Sequence, residues 1–372
     1  MTVLAVAGLS ARVLAEAAAD DGYGVVALDL FGDADTRRAC SQWWPIGRPE
    51  VFQIDAALLL SQLAALARRG DVTGWIAGSG FDGRPDLLER GAALLPFIGT
   101  PPDVVRRVRD PQLFFAQLDA AGIPHPAVQT TTPADSSGWL VKDAHGCGGW
   151  RIRRATRHVD ASGHHYFQRE MAGTPMSATF VADGRAARVL GFNELIVRPF
   201  GARPFVYCGV VGPVPLPADL GGRVSAAVND LAAAFSPRGL GSLDFMRDGD
   251  HFGVLEINPR PPASMALYGK GVVADHVHAC LHGDLPRTKV VANCTVRGTE
   301  IVFARRPLHL DASAAKRLAE RAGCHDLPAG VARFDAGDPV CSVSASGSNA
   351  AQVHLLLQRA RDAVHHSLEP LS

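Results

Sequence analysis

Two carboxylates and one amide at even-numbered positions lie within residues 241–264, whose sequence is GSLDFMRDGDHFGVLEINPRPPAS. They are Asp244, Glu256 and Asn258. Oxygen donors of these types suit Mg²⁺, a hard cation that also takes oxygens from bound phosphates. Arg260 follows two residues later and supplies a planar cation suited to phosphate or carboxylate. The set therefore predicts a magnesium site that also binds a phosphate group.

The elements that must position this set are two strands. Asp248-Gly249 is a strong turn signal between two strand-like runs, so the segment predicts a β-hairpin. Because side chains alternate with a period of two, Asp244, Glu256 and Asn258 share one face, and neighbouring strands bring them within reach of one ligand. The opposite face is apolar and predicts a core contact, through Leu243, Phe245, Leu255 and Ile257. A surface hairpin with solvated acids is the alternative.

The order Asp244, then Glu256-Ile257-Asn258-Pro259-Arg260, resembles the magnesium signature of the ATP-grasp superfamily, in which an acidic residue on one strand precedes E-x-N-P-R on the next. The resemblance implies a multidomain fold of the α/β and α+β classes, and a length of 372 residues also favours two or three domains. The implied parts are a Rossmann-like pre-ATP-grasp domain at 1–99, a two-lobed ATP-grasp domain at 100–291 with a phosphate lid lobe at about 110–170, and a small β-rich C-terminal domain with a terminal helix at 292–372.

A glycine-rich hairpin is predicted at residues 139–152, WLVKDAHGCGGWRI. A strand there carries Lys142, whose point charge suits the α- or β-phosphate of a nucleotide. Glycines let successive backbone N–H groups approach a phosphate and form an anion cradle, here at Gly146, Gly148 and Gly149. The position of this hairpin, before the acidic hairpin, matches the flexible phosphate lid of the ATP-grasp family. An ordinary mobile turn is the alternative.

The segment HYFQREM, residues 165–171, resembles the interdomain linker of the family, where two backbone groups pair with the adenine edge. By position, Arg169 and Met171 supply these backbone contacts, and Gln168 and Glu170 flank them. The thioether of Met171 suits packing on the adenine ring, although ordinary core packing is the alternative.

A helix is predicted to begin at Asp110-Pro111, with Asp110 as the N-cap and Pro111 in the first turn. It resembles the helix that opens the ATP-grasp domain, but the family usually has Lys or Arg where this chain has Pro111. Arg109 is the first candidate to replace that phosphate-binding cation. Arg106 and Arg107 are the others, and loss of the role altogether is also open.

The N-terminal residues predict a βαβ unit, with strands at 2–7 and 25–31 around an alanine-rich helix. The glycine fingerprint of dinucleotide-binding proteins is missing from the first turn, which argues against a nicotinamide-dependent oxidoreductase. Gly78-Ser79-Gly80 follows a later strand, at the sheet edge where open α/β sheets bind ligands. Residues 200–220 hold four prolines and predict a loop.

Composition narrows the class of partner. Lys plus Arg and Asp plus Glu both number 37, so a net charge of zero gives no support for nucleic-acid binding. No apolar run is long enough to span a membrane. Seven cysteines without a C-x-x-C pair indicate neither a disulfide framework nor a zinc site. We therefore expect a cytoplasmic protein with small-molecule partners, and a homodimer is left open.

The function implied by the resemblance is ADP-forming ligation of a carboxylate to an amine through an acyl phosphate, with ATP and two Mg²⁺ ions as cofactors. Asp244, Glu256 and Asn258 hold the metal, and Arg260 together with Asn258 forms the catalytic set. The chain is also similar, in residues 11–37 and in NPRPPAS, to methylotroph ATP-grasp proteins of methanofuran-type and methanopterin-type cofactor synthesis, which suggests ligation of glutamate to tyramine or a related amine. A non-catalytic ATP-binding regulator or scaffold is the alternative.

Overall fold

The computed structural model describes residues 1–156, 163–285 and 295–368. The predicted domain boundary at residues 291–292 lies outside the described residues. Among the helices described, none is long and apolar enough to cross a membrane.

The N-terminal unit is built on a parallel sheet. Strand β1 lies between β2 and β6 and pairs in parallel with both, as the predicted βαβ unit requires, and the order is β3-β2-β1-β6. The sequences of its strands are continuous apolar runs, because helices cover the sheet and bury the side chains of the strands. The elements are β1 (Val3–Ala7), α1 (Arg12–Asp20), β2 (Gly24–Asp29), α2 (Ala34–Ala39), β3 (Gln42–Pro45), β4 (Gly47–Arg48), β5 (Gln53–Ile54), α3 (Ala56–Arg69), β6 (Val72–Ala77) and α4 (Pro85–Ala92).

The next unit contains the predicted lid lobe. The Asp110 carboxylate caps α6 by accepting the amides of Gln112 and Leu113, and Pro111 lies in the first turn, as predicted. A four-stranded sheet follows in the order β7-β10-β8-β9. The elements are α5 (Pro102–Val108), α6 (Pro111–Ala120), β7 (Val128–Gln129), β8 (Trp139–Asp143), β9 (Ile152–Arg154) and β10 (His165–Arg169).

A large antiparallel sheet carries the acidic hairpin. Its order is β15-β14-β11-β12-β13-β16-β20-β18, and the apolar side chains of α7 pack into its core. The elements up to the second gap in the described chain are β11 (Thr174–Asp183), β12 (Ala187–Phe200), β13 (Arg203–Val214), α7 (Ala218–Phe235), β14 (Arg238–Asp248), β15 (His251–Asn258) and α8 (Val272–His282).

The prediction of a loop at residues 200–220 is wrong for most of that segment, because residues 203–214 form β13. The prolines are accommodated where the ladder is interrupted. Pro213 lies where the register between β12 and β13 shifts, and Pro204 lies near the start of the strand. A proline lacks an amide donor, so bulges and strand ends are the positions that a sheet tolerates for it.

The C-terminal strands continue the large sheet. β16 pairs with β13 on one side and β20 on the other, and α10 packs over them through Val353 and Leu357. The predicted separate C-terminal domain thus shares its sheet with the ATP-grasp strands, and the division at 292 stays a prediction. The elements are β16 (Val296–Phe303), β17 (Leu308–Leu310), α9 (Ala312–Ala319), β18 (Cys324–His325), β19 (Ala332–Phe334), β20 (Pro339–Gly347) and α10 (Ala350–Leu368).

A buried histidine joins α8 to two neighbouring units. His276 Nδ1 accepts the amide of Leu240 at 2.9 Å, so its Nε2 carries the proton and donates to the carbonyl of Ile98 at 3.0 Å. Burial lowers the pKa of His276 to about 4. The ring is therefore neutral in the folded protein at pH values where an unfolded chain protonates it.

We expect the free energy of unfolding to fall as the pH decreases from about 6.5 to about 4, because the unfolded chain binds a proton that folded His276 does not. The size is roughly 3 kcal/mol, from a shift of about 2.5 pKa units. Urea unfolding across this range measures it. His276→Gln keeps a donor and an acceptor but cannot titrate, so its free energy of unfolding should change less with pH. The same pH dependence in the variant and in wild type would contradict the assignment.

Candidate active site

The acidic hairpin brings the predicted metal residues together. β14 and β15 pair so that Asp244 lies opposite Glu256 and Ser242 lies opposite Asn258. Asn258 Nδ2 donates to Asp244 Oδ2 at 3.1 Å, and the side chains of Asp244, Glu256 and Asn258 share one face. We call β14 and β15 the metal hairpin from here on.

The electrostatics of the metal hairpin favour a bound cation. Burial, and then repulsion from Glu256, raise the pKa of Asp244 to about 7. Two carboxylates held side by side repel each other when both are ionised, and a cation between them removes this unfavourable free energy. A donor set of two carboxylates and an amide suits Mg²⁺. The residues present therefore fit the predicted metal.

Two cations of the lid lobe face Glu256. Lys142 Nζ lies 4.0 Å from Glu256 Oε2, and Arg109 Nη1 lies 3.5 Å from the same oxygen. Gln168 is buried on β10 and accepts a hydrogen bond from Lys142 Nζ through its Oε1 at 3.2 Å, which fixes the direction of the ammonium group. The lid lobe thus places positive charge opposite the metal hairpin, as triphosphate binding requires.

The glycine loop, residues 144–150, packs closely against β13. A Cβ on Gly149 would lie 1.8 Å from the carbonyl oxygen of Phe205, and the φ angle of Gly149 is +75°. Gly148 has φ +61°, and its carbonyl accepts the amide of Tyr207 at 2.9 Å. Only glycine fits these two positions without strain. Gly146 occupies the turn after β8, where its amide donates to the carbonyl of Asp143 at 2.9 Å.

Arg109 secures the glycine loop. Its Nε and Nη2 donate to the carbonyl of Ala144 at 3.1 and 2.7 Å, and Nη2 also donates to the carbonyl of Gly146 at 2.8 Å. The guanidinium is buried between the loop and Glu256. Its predicted role as a direct phosphate ligand stays a prediction, and the contacts made in this structure are with the loop.

The predicted adenine linker has several of its groups engaged within the protein. The amide of Arg169 donates to the carbonyl of Ala127 at 2.8 Å, so of its two backbone groups we expect the carbonyl to face adenine. The Glu170 carboxylate pairs with Arg154 on β9. Met171 packs against β15, where a Cβ on Gly253 would lie 2.6 Å from its sulfur. Gln168, by contrast, contacts Lys142 directly.

One site residue was not foreseen. Asp82 follows β6 in the N-terminal unit and lies fully buried beside Arg260, whose Nε donates to Asp82 Oδ1 at 2.7 Å. Burial alone would raise the pKa of Asp82, and the guanidinium groups of Arg260 and Arg109 hold it below its usual range. The only signal in the sequence was the glycine-rich exit at residues 78–80, at a sheet edge where ligands bind.

Residues 108–264 match the family model of the ATP-grasp domain. The whole chain resembles the biotin carboxylase domain of a single-chain bacterial carboxylase, with 17% identity, a TM-score of 0.67, and coverage of 99% of this chain and 96% of that one. It also resembles biotin carboxylase from Campylobacter jejuni, with 12% identity, a TM-score of 0.72, and coverage of 98% and 95%. It resembles the L-amino acid ligase from Bacillus licheniformis as well, with 12% identity, a TM-score of 0.68, and coverage of 97% of both chains.

No curated protein matches this sequence. The family match and the structural likenesses show that the chain contains an ATP-grasp domain and has the ATP-grasp fold. The prediction of this superfamily is confirmed at that level. The predicted enzyme class, an ADP-forming ligase that makes a carbon–nitrogen bond, agrees with this domain match and is taken up as a proposal below.

Replacing Lys142 by methionine is expected to weaken ATP binding by on the order of 1.5–3 kcal/mol, because a charged phosphate contact is lost while the length of the side chain is kept. Calorimetry with MgATP measures the change. Lys316→Met is the control, since Lys316 is an exposed lysine of α9. An unchanged affinity in Lys142→Met would contradict the placement of Lys142 against the phosphates.

Proposed function

We propose that this protein is an ATP-dependent carboxylate–amine ligase that works through an acyl phosphate. The observation that carries the proposal is the arrangement of Asp244, Glu256 and Asn258 on one face, with Lys142 and the glycine loop opposite them. This arrangement supports a triphosphate between the two sets, with oxygen donors for a metal on one side and positive charge on the other. Catalysis of phosphoryl transfer is mainly such positioning and charge neutralisation.

The chemistry has two steps. A carboxylate oxygen attacks the γ-phosphorus of ATP, which forms an acyl phosphate and releases ADP. The nitrogen of an uncharged amine then attacks the acyl carbon, the carbon–oxygen bond to phosphate breaks, and the phosphate leaves with the amine proton. The products are an amide, ADP and inorganic phosphate, so atoms and charge balance. Bound Mg²⁺, for which we propose two ions, supplies charge neutralisation on the phosphates.

Each group of site residues has a separate role in this reaction. Asp244, Glu256 and Asn258 hold the metal. Lys142 binds an α- or β-phosphate oxygen, and the amides of Gly148 and Gly149 in the glycine loop cover the triphosphate. Arg260 binds the carboxylate and then stabilises the charge of the acyl phosphate. The backbone of Arg169 and Met171 contacts the adenine edge.

We propose an amino acid as the carboxylate, and more specifically glutamate joined to tyramine or a related amine. The support is the similarity of residues 11–37 and of NPRPPAS to methylotroph ATP-grasp proteins of methanofuran-type cofactor synthesis. The likeness in fold to an L-amino acid ligase agrees with an amino-acid substrate. This part of the proposal concerns the substrate pair and is tested separately from the reaction type.

An ADP-release screen with MgATP tests the proposal, with amino acids and amines supplied in pairs and glutamate with tyramine among them. We expect ADP and amide in equal amounts for at least one pair, and hydroxamate when hydroxylamine replaces the amine and traps the acyl phosphate. ATP binding without ADP release for any pair would overturn the ligase and favour a non-catalytic ATP-binding protein. ADP release only with other pairs of amino acid and amine would overturn the glutamate–tyramine assignment.

A further inference from the structure

We propose that Asp82 is a positioning residue for Arg260, so that the N-terminal unit completes the active site instead of serving only as a scaffold. The proposal rests on the proposed function, in which Arg260 binds the carboxylate and the acyl phosphate. Asp82 and Arg260 are 178 residues apart in the chain and follow strands of two different sheets, β6 and β15.

The geometry of the pair determines how Arg260 is presented. Asp82 Oδ1 accepts a hydrogen bond from Nε, at 2.7 Å, and thus holds the inner edge of the guanidinium. Nη1 lies 3.4 Å from the carbonyl of Pro261, a weak contact. The terminal nitrogens are the pair that grips two oxygens of a carboxylate or phosphate. A carboxylate fixed on Nε therefore orients the fork toward an anion without occupying it.

Asp82 itself is held firmly. The loop after β6 is tied to the loop after β1 by a hydrogen bond of 2.9 Å from the amide of Leu9 to the carbonyl of Ser79. Gly80 has φ +98°, and a Cβ there would lie 2.7 Å from the side chain of Leu9. The loop also meets the glycine loop, where a Cβ on Gly83 would lie 2.3 Å from the Cβ of His145. The same short segment thus contacts both Arg260 and the glycine loop.

Joining two units does not require a buried carboxylate. The exposed pair of Glu89 and Arg106, at 3.4 Å, already links α4 to α5 at the surface. Removing a charge from water costs several kcal/mol per ion, so a buried pair adds little net stability by itself. Asp82 has a side chain only 1% exposed and lies near two guanidinium groups, those of Arg260 and Arg109. These surroundings are those of a group that orients a functional arginine.

The test compares Asp82→Asn with Glu89→Gln, in which a carboxylate of the same unit loses its charge at the surface. In the ADP-release assay with L-glutamate, or with the amino acid that the screen identifies, we expect Asp82→Asn to lower kcat/KM for the amino acid roughly 10–100-fold, the usual effect of losing a partner that orients a ligand-binding group. The affinity for MgATP should stay within about twofold, and Glu89→Gln should match wild type. A purely structural defect would instead lower both kcat/KM for the amino acid and the affinity for MgATP.

A second measurement does not depend on turnover. Binding of inorganic phosphate to the MgADP complex, by calorimetry, should weaken roughly tenfold in both Asp82→Asn and Arg260→Ala. If Asp82→Asn fails to fold, Asp82→Glu keeps the charge and should show a smaller effect of the same kind. If Asp82→Asn binds inorganic phosphate as tightly as wild type does, the proposal is overturned, whether or not Arg260→Ala binds phosphate more weakly. Weaker phosphate binding in both, in a wild type that releases no ADP, would support the Asp82 proposal and overturn the ligase.

Discussion

Replacing Glu256 by glutamine will abolish most ADP release while leaving the protein folded. Glutamine keeps the size of the side chain and removes the charge that would bind the metal. Charge stabilisation by a bound metal amounts to several kcal/mol in the transition state. Since each 1.4 kcal/mol is a factor of ten in rate, we expect kcat to fall by roughly 100-fold or more.

The matched control for this variant is Glu194→Gln. Glu194 lies in the same sheet with a side chain 31% exposed, against 29% for Glu256, and it pairs with His354 outside the metal hairpin. It should release ADP at the rate of wild type. Circular dichroism and thermal unfolding show whether both variants are folded. Wild-type ADP release by a folded Glu256→Gln variant would disprove the magnesium assignment.

Replacing Arg109 by alanine should lower the free energy of unfolding by about 3–5 kcal/mol, the usual cost of removing one partner of a buried ion pair. The carbonyls of Ala144 and Gly146 lose their donor, and Glu256 loses a neighbouring positive charge. We also expect the glycine loop to open more often. Urea unfolding measures the first effect, and hydrogen exchange at the Tyr207 amide, which bonds to the loop, measures the second.

Two further variants sharpen this prediction. Arg109→Lys should recover only part of the loss, because an ammonium group is a point charge and cannot reach both carbonyls as a guanidinium fork does. Arg106→Ala removes an exposed arginine of the same helix region and should change stability by only a few tenths of a kcal/mol. If Arg109→Ala were as stable as Arg106→Ala, the loop contacts seen here would not hold in solution.

The sequence alone was sufficient for the metal hairpin. An Asp-Gly turn and a period of two are local features, and they were enough to predict that Asp244, Glu256 and Asn258 share a face, which the strand register confirms. The helix cap at Asp110 was also predictable, because capping depends on residues only two and three positions away. Such features need no knowledge of distant parts of the chain.

Only the tertiary structure decided which distant segments meet. Proline content predicted a loop at residues 200–220, yet pairing with β12 on one side and with β16 on the other makes residues 203–214 strand β13, and β16 comes from a distant part of the chain. The salt bridge of Asp82 to Arg260 joins the loops that follow β6 and β15, which belong to different sheets, and no local pattern encodes it. Arg109 was predicted near the phosphates from its position in the chain, but its hydrogen bonds to the glycine loop follow from how α5 packs on the lid lobe. Local periodicity therefore specified the shared face of the proposed metal ligands, whereas long-range packing specified which groups lie beside them.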